Sequence, residues 1–145
     1  MQTIPQGLRW AYLVSFVVAL VFGVAGVFAP RLVGDLAGHP VRDIDVNMGL
    51  GSAALAFAAG SYYGLRATRW EQVSLVTFVL VVFDLVGGVG GFLTYIMPGL
   101  VGVENPPAVQ LLVAVILLAL GLVFAAYYVA INGFRSPLAT SAAQE

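Results

Sequence analysis

Long apolar stretches are the feature that most constrains the fold of this chain. Four of them stand out, at about 10–29, 46–65, 70–97 and 107–131. Each is near the ~20 residues that a helix needs to cross about 30 Å of hydrocarbon. None alternates polar and apolar residues with a period of two, so the pattern does not predict strands. Backbone polar groups in lipid must be paired within the segment, and the sequence therefore predicts an all-α, integral membrane four-helix bundle.

Composition supports this prediction and excludes several kinds of site. Of the 145 residues, 61% are hydrophobic and 9% are charged, whereas an ordinary soluble domain is about 25% charged. The chain has no cysteine, which excludes disulfides, thiolate metal sites and thiol nucleophiles. A net charge of −1 provides no basic surface for nucleic acid, and no nucleic-acid partner is predicted.

The chain is expected to form one domain. Residues 1–135 would hold the four helices, and the small, polar segment 136–145 would be a flexible cytoplasmic tail. The first apolar run is longer than the ~7–15 residues of a signal-peptide core, so we interpret it as a retained membrane helix. The longest loop joins the first two spans, and a short helical turn is expected there at 31–36.

The arginines predict the orientation in the membrane. Arg9, Arg66, Arg69 and Arg135 fall on one side, and Arg31 and Arg42 on the other. Positive residues concentrate on the cytoplasmic side of membrane proteins, so both termini are expected in the cytoplasm, with the chain in a prokaryotic inner membrane. An aromatic belt is expected at the cytoplasmic boundary, formed by Trp10, Tyr12, Trp70, Tyr127 and Tyr128.

Small residues recur at four-residue spacing on two helices. The second span carries Ser52, Ala56, Gly60 and Gly64, and the third carries Gly87 and Gly91. Such ridges let helix backbones approach closely in lipid. They predict tight packing between helices of this chain, with docking of a second copy or another subunit as the alternative.

Asp84 lies in the middle of the third apolar stretch, within "FDLVGGVGGF". It follows Trp70 by 14 residues, which corresponds to ~21 Å along a helix. Gly87, Gly88 and Gly91 share its helix face, so the carboxyl group is expected to face other helices and not lipid. An ionisable residue inside a membrane is by default a candidate functional site.

No cation lies inside the four apolar stretches, so burial favours the neutral acid. The predicted intramembrane polar site joins Asp84 with Ser52 and Ser61, and Ser15 and Thr77 are further candidate partners. Three roles stay open for Asp84: a neutral hydrogen-bond donor that joins two helices, a proton relay or ligand contact, and a partner for a cation on another subunit.

The loop between the first two spans collects polar residues, namely Asp35, His39, Arg42, Asp43, Asp45 and Asn47. Such a cluster could hold a divalent metal. The preferred interpretation is structural, with Asp43 or Asp45 capping the next helix and Arg42 pairing with a neighbouring acid. One histidine cannot supply two axial haem ligands. No metal site, catalytic residue or cofactor is predicted.

Three segments resemble the small four-helix bacterial membrane proteins known as DoxX-like. They are "VFAPRLVGDLAGHP", "RDIDVNMGLGSAALAFAAG" and the arginine-bearing hairpin "LRATRWE". The resemblance covers most of the length and consists mainly of topology. It implies a four-helix membrane fold and a bacterial membrane location, and it implies no activity.

Two functions are compatible with these patterns. The first is a structural or accessory subunit that packs through its small-residue helix faces against a second copy or a larger membrane complex. The alternative is a small binding or transport module that uses Asp84 to handle a proton or a hydrophobic ligand. No catalytic motif is present, so an enzyme is not predicted.

Overall fold

The computed structural model describes residues 3–36, 44–97 and 108–133. The described residues are almost entirely helical, and they contain no strand beyond one isolated bridge between Thr3 and Arg69. The all-α prediction is confirmed. The helices are α1 (Gln6–Phe28), α2 (Pro30–Leu36), α3 (Ile44–Arg66), a 3₁₀ turn (Trp70–Gln72), α4 (Ser74–Ile96) and α5 (Ala108–Asn132).

Among the described residues, three helices are long and apolar enough to cross a membrane: α1, α4 and α5. The sequence predicted four spans. α3 has the same length as α1 and α4 but a lower mean apolarity, because glycines, Ser52, Ser61 and the Tyr62–Tyr63 pair dilute its alanines and leucines. Three candidate spans are therefore established by length and composition, and the membrane crossing of α3 stays a prediction.

Pro30 divides the first apolar stretch from a short helix, as predicted. α1 ends at Phe28, and the Ala29 N–H still donates to the Ala25 carbonyl at 2.8 Å. Proline disfavours helical geometry in the residue before it, and Ala29 has φ −135° and ψ 53°. Pro30 then starts α2, since its missing N–H has no helical partner at that position anyway. The predicted turn at 31–36 is confirmed as part of α2.

The third long helix begins later than predicted. Residues Trp70–Gln72 form a separate 3₁₀ turn, and α4 starts at Ser74. The Gln72 side-chain oxygen accepts hydrogen bonds from the Thr68 and Arg69 N–H groups, both at 3.3 Å, and so closes the turn. The later start still leaves Asp84 near the centre of α4, ten residues after its first residue and twelve before its last.

Glycines bring α1 and α3 together as an antiparallel pair. A β-carbon added at Gly51 would lie 2.7 Å from the backbone carbonyl carbon of Gly26. At the other end of the pair, a β-carbon on Gly64 would lie 2.5 Å from the Tyr12 ring. Such distances are shorter than atoms tolerate, so only glycine permits this approach.

The α4–α5 pair is built in the same way. A β-carbon on Gly88 would lie 2.8 Å from the Leu118 nitrogen, and one on Gly121 would lie 3.0 Å from the Leu85 nitrogen. Contacts between the two pairs are fewer: α3 packs mainly on α1, and α4 mainly on α5. The described helices thus form two tight antiparallel pairs, with looser seams between the pairs.

The ridge residues predicted from spacing lie at different depths. Gly64 faces Tyr12 closely, and Gly91 would bring a β-carbon within 3.1 Å of the Ala114 side chain. Gly60 and Gly87 have ordinary contact distances, 3.4 Å to Val76 and 3.5 Å to Leu117 respectively. Ala56 and Ser52 are exposed.

Two members of the predicted aromatic belt belong to the core instead. Tyr12 is fully buried, and Trp70 is buried with its Nε1–H donating to the Asn132 side-chain oxygen at 2.8 Å. They pack with Leu8 and Val73 where α1, α4 and α5 meet. The sequence pattern predicted these two rings at the membrane boundary, but they fill the interior between the helices. Trp10 is exposed, as expected.

The arginines of the described residues separate between the two ends of the helices. Arg9 lies near the start of α1, and Arg66 is the last residue of α3. The bridge between Thr3 and Arg69 places the start of α1 beside the α3–α4 connection, so these arginines share one end. Arg31 follows the opposite end of α1. Arg42 and Arg135 lie outside the described residues, as does the predicted tail.

The outer surface of the described helices is apolar. Large hydrophobic side chains are exposed along α1, α4 and α5, with Phe28 80%, Leu75 70% and Val86 68% exposed. Exposure of such a large apolar surface to water is unfavourable, whereas lipid solvates it. The outer surface therefore supports a membrane location independently of helix length.

Candidate functional site

A cavity of about 130 Å³ lies between the four long helices. Each long helix contributes to its wall, and the wall is apolar except for Ser15 and Asp84. The lining residues are Ser15, Val18, Ala19 and Phe22 of α1, Ala54 and Phe57 of α3, Leu80, Phe83 and Asp84 of α4, and Val113, Leu117 and Leu120 of α5.

Asp84 is the chemically distinctive residue of this cavity. Its side chain is only 3% exposed. Its Oδ2 atom is fully buried and has no hydrogen-bond partner among the residues that the structure describes. A buried polar atom without a partner costs about 1–3 kcal/mol of stability. The position of Asp84 at the centre of α4 therefore has an energetic cost that the described protein groups do not offset.

The hydroxyl groups predicted to partner Asp84 form hydrogen bonds elsewhere. Ser61 is fully buried and pairs with Ser15 at 2.9 Å, which joins α3 to α1. Ser52 does not line the cavity, and its hydroxyl donates to the Met48 carbonyl of its own helix at 2.9 Å. Of the two serines in the predicted polar site, Ser61 adjoins the cavity through Ser15 and Ser52 lies away from it.

Thr77 also has other partners. Its hydroxyl donates to the Val73 carbonyl at 2.8 Å and lies 2.5 Å from the Tyr12 hydroxyl. A threonine hydroxyl has one proton, so Tyr12 donates and Thr77 accepts. This bond joins α1 to α4 on the same face of α4 as Asp84, two helical turns nearer to Trp70.

No cation from the described residues lines the cavity. In the described part of the chain the arginines are Arg9, Arg31, Arg66 and Arg69, all near helix ends. An ionised carboxylate at Asp84 would have no compensating charge from these residues, and burial of an isolated charge is strongly unfavourable. The protein groups alone therefore favour the neutral acid, which has one O–H to donate and one carbonyl oxygen to accept.

The chemistry of the wall selects among possible occupants. A water molecule in liquid occupies about 30 Å³, and a buried water needs two to four polar partners. Within the described part of the chain, Ser15 and Asp84 are the only polar side chains of the cavity, and Ser15 already pairs with Ser61. A cluster of waters would lack partners on most sides. An apolar molecule with a single polar group matches this wall better, and apolar cavities of about 150 Å³ bind benzene-sized molecules.

The predicted outer-loop cluster is only partly described. Asp35 is exposed on α2. Asp45 and Asn47 belong to the first turn of α3, and their side chains lie outside the described residues, as do His39, Arg42 and Asp43. Across residues 3–36, 44–97 and 108–133, no group of three or more His, Asp or Glu residues is placed to hold a metal ion.

Phe57 and Phe83 were not predicted as site residues. Their rings stack with centroids 3.9 Å apart and planes at 29°, and both line the cavity. Helical spacing could have predicted other lining residues. Leu80 precedes Asp84 by one turn of α4, and the four lining residues of α1 share one helix face. The pairing of rings from two different helices has no local signal.

No protein-family model, curated protein or solved structure is significantly similar to this chain, so the site is interpreted from its own geometry.

Proposed function

We propose that this protein is an intramembrane binding module for a small hydrophobic ligand with one hydrogen-bonding polar group, held by Asp84. The observation that carries the proposal is the buried, unpartnered Oδ2 atom of Asp84, a residue that lines an otherwise apolar cavity between four helices. A ligand that donates one hydrogen bond would satisfy this oxygen once the carboxyl group turns it toward the cavity, while the apolar part of the ligand would contact the leucine, valine and phenylalanine side chains.

The wall favours aromatic ligands. Three phenylalanines line the cavity, Phe22, Phe57 and Phe83. Aromatic rings interact favourably with other rings at centroid distances of about 4.5–7 Å. A phenol or an aromatic amine combines a ring with one donor and is close in size to the molecules that comparable cavities accept.

The proposal includes membrane insertion of all four long helices. A four-helix bundle in a prokaryotic inner membrane, with cytoplasmic termini, is supported by the shared end of Arg9, Arg66 and Arg69. Insertion of α3 beside α1, α4 and α5 would place the cavity within the hydrocarbon layer. The resemblance to DoxX-like proteins is compatible with this arrangement and adds no ligand.

An accessory-subunit function stays a prediction. Its predicted contact surfaces were the small-residue faces. Gly64, Gly88 and Gly91 contact other helices of the same chain, and the closest of these approaches involve backbone or ring atoms. Ser52 and Ala56, on the predicted ridge of α3, are exposed, so that part of the small-residue faces is free of contacts among the described helices and is where a partner subunit would dock.

The binding proposal is tested with two fluorinated probes of similar size. ¹⁹F NMR of the full chain in lipid nanodiscs should show that 4-fluorophenol binds, and that it binds more tightly than fluorobenzene. One neutral hydrogen bond contributes about 0.5–1.5 kcal/mol, so the expected preference is about two- to tenfold.

Substitutions of Asp84 separate ligand recognition from general hydrophobicity. Asp84→Asn keeps a polar group in the cavity and should retain the preference for 4-fluorophenol. Asp84→Leu removes it and should abolish or reverse the preference. Ser52→Ala removes a hydroxyl outside the cavity and serves as the matched control. If both probes bind parent and Asp84→Leu protein with unchanged ratios, Asp84 does not hold the ligand and the proposal is wrong.

A further inference from the structure

Two phenylalanines at the seam between α3 and α4 line both the cavity and a groove outside it. Phe83 lies beside Asp84 in the chain and is 40% exposed. Phe57 lies across from it on α3, and the two rings stack. This pair of rings therefore lies between the cavity and the outer groove.

Two apolar grooves lie outside this wall. One, of about 510 Å³, contains Phe57 and Phe83. The other, of about 310 Å³, contains Phe57 and Leu80. Because Phe57, Phe83 and Leu80 also line the inner cavity, the grooves and the cavity lie on opposite sides of the same side chains.

The seam between α3 and α4 is also a loose one. α3 packs mainly on α1, and α4 mainly on α5. Toward the Arg9 end, by contrast, the interior is filled by fully buried side chains, among them Leu8, Tyr12 and Val73. A molecule approaching from that end would have to displace the close-packed core, whereas one in the larger groove at the seam would meet the ring pair.

We propose that the ligand reaches Asp84 sideways from the bilayer, through the α3–α4 seam, and that Phe57 and Phe83 determine which molecules pass. This inference rests on the proposed binding function. The ligand class is then narrowed to molecules that dissolve in hydrocarbon and are small or flat enough to pass between two displaced rings. Charged, water-soluble metabolites are excluded from this route.

Opening such a wall costs little in lipid. Lipid chains are as apolar as the side chains they would contact, so a phenylalanine ring that rotates outward loses no hydrophobic burial. What it loses is the specific interaction with its partner ring. Removal of one ring should therefore accelerate passage by about two- to tenfold, the range that follows from the stabilisation that such ring pairs provide.

The absence of native cysteine makes the route measurable. Ser15→Cys places one thiol on the cavity wall, at a position that is 5% exposed. Its rate of reaction with phenylmercury acetate, which enters membranes and reacts with the neutral thiol by releasing acetic acid, is compared in nanodiscs with its rate toward the sulfonated analogue p-chloromercuribenzenesulfonate, which stays in water. Mercury reagents are used because a thiol buried in apolar surroundings does not form the thiolate that alkylating reagents need. The comparison is repeated in Phe57→Ala, Phe83→Ala, Phe22→Ala and Phe16→Ala backgrounds.

Each background has a defined expectation. Phe57→Ala and Phe83→Ala should accelerate labelling by phenylmercury acetate and leave the sulfonated reagent slow. Phe16→Ala removes a ring that packs against Tyr62 and lines none of the three spaces, so it should match the parent. Phe22 also lines the cavity and is 40% exposed, on α1. Acceleration in Phe22→Ala alone would place the route on another side and overturn the inference.

Two further results would also overturn it. Equal acceleration in Phe16→Ala would indicate general loosening of the helices. Equal labelling by both reagents in the parent would indicate access from water. Failure of the binding function is distinguishable, because labelling needs no ligand: the route stands if the ring variants accelerate labelling even when 4-fluorophenol does not bind.

Discussion

The contact between Gly51 and Gly26 predicts a large difference between two neighbouring substitutions on α3. In Gly51→Ala the new β-carbon would lie 2.7 Å from the Gly26 carbonyl carbon and 2.7 Å from the Val27 nitrogen. These are backbone atoms and cannot rotate away. In Gly49→Ala, two residues earlier on the same helix, the new β-carbon would have no neighbour within 4 Å among the residues that the structure describes.

The magnitude follows from two opposing terms. Alanine is favoured over glycine in a helix by about 0.8–1.0 kcal/mol, and this gain applies to both variants. Relieving the contact at Gly51 requires α1 and α3 to separate locally by about 1 Å, since non-bonded carbon atoms prefer about 3.5–4.0 Å. Overpacking of this kind costs about 1–3 kcal/mol. The free energy of unfolding of Gly51→Ala should therefore be lower than that of Gly49→Ala by about 1–3 kcal/mol.

Trp70 provides the assay. It is one of two tryptophans and is buried, whereas Trp10 is exposed. In a Trp10→Phe background, the fluorescence of Trp70 should report unfolding as dodecyl sulfate is titrated into mild-detergent micelles. Gly49→Ala is the matched control, because it has the same chemical change on the same helix. If the two variants unfold at the same dodecyl sulfate fraction with the same slope, the α1–α3 approach is looser than described and the reasoning is wrong.

Three further predictions concern the buried polar groups and the orientation. Asp84→Asn should remove an infrared C=O band of a protonated carboxylic acid that the parent shows at pH 7. A carboxylate band in the parent at pH 5 would contradict the neutral acid. In a double-mutant cycle of Tyr12→Phe and Thr77→Val, the coupling energy should be near 0.6 kcal/mol and at most about 1.7 kcal/mol, measured by the same unfolding titration; zero coupling would contradict the hydrogen bond. A reporter fused after Glu145 should be active only in the cytoplasm, and periplasmic activity of an intact fusion would reverse the proposed orientation.

Much of the fold was predictable because it depends on local properties. Helix length and apolarity lie within single segments, so the four long helices were placed to within a few residues. Pro30 limits α1 through its own covalent geometry, and α2 follows it. The start of α4 was placed too early, because the side chain of Gln72 closes a turn that apolarity cannot indicate.

The candidate site was predictable only in its central residue. A carboxyl group in the middle of an apolar helix is evident from the sequence, and so is the glycine-bearing face that it shares. Its hydrogen-bond partners were not predictable. Ser61 pairs with Ser15, and Thr77 with Tyr12, because the helix approach sets which hydroxyls meet.

The sequence by itself determined that this chain forms long apolar helices and that one of them carries Asp84 at its centre. Only the tertiary structure decided which helices pair closely, which polar groups satisfy one another, and that Asp84 faces a cavity behind the rings of Phe57 and Phe83. The physical reason is that lipid solvates every apolar face almost equally. Apolar pattern therefore cannot choose helix partners, and the choice depends on the close fit of small residues with backbones far away in the chain.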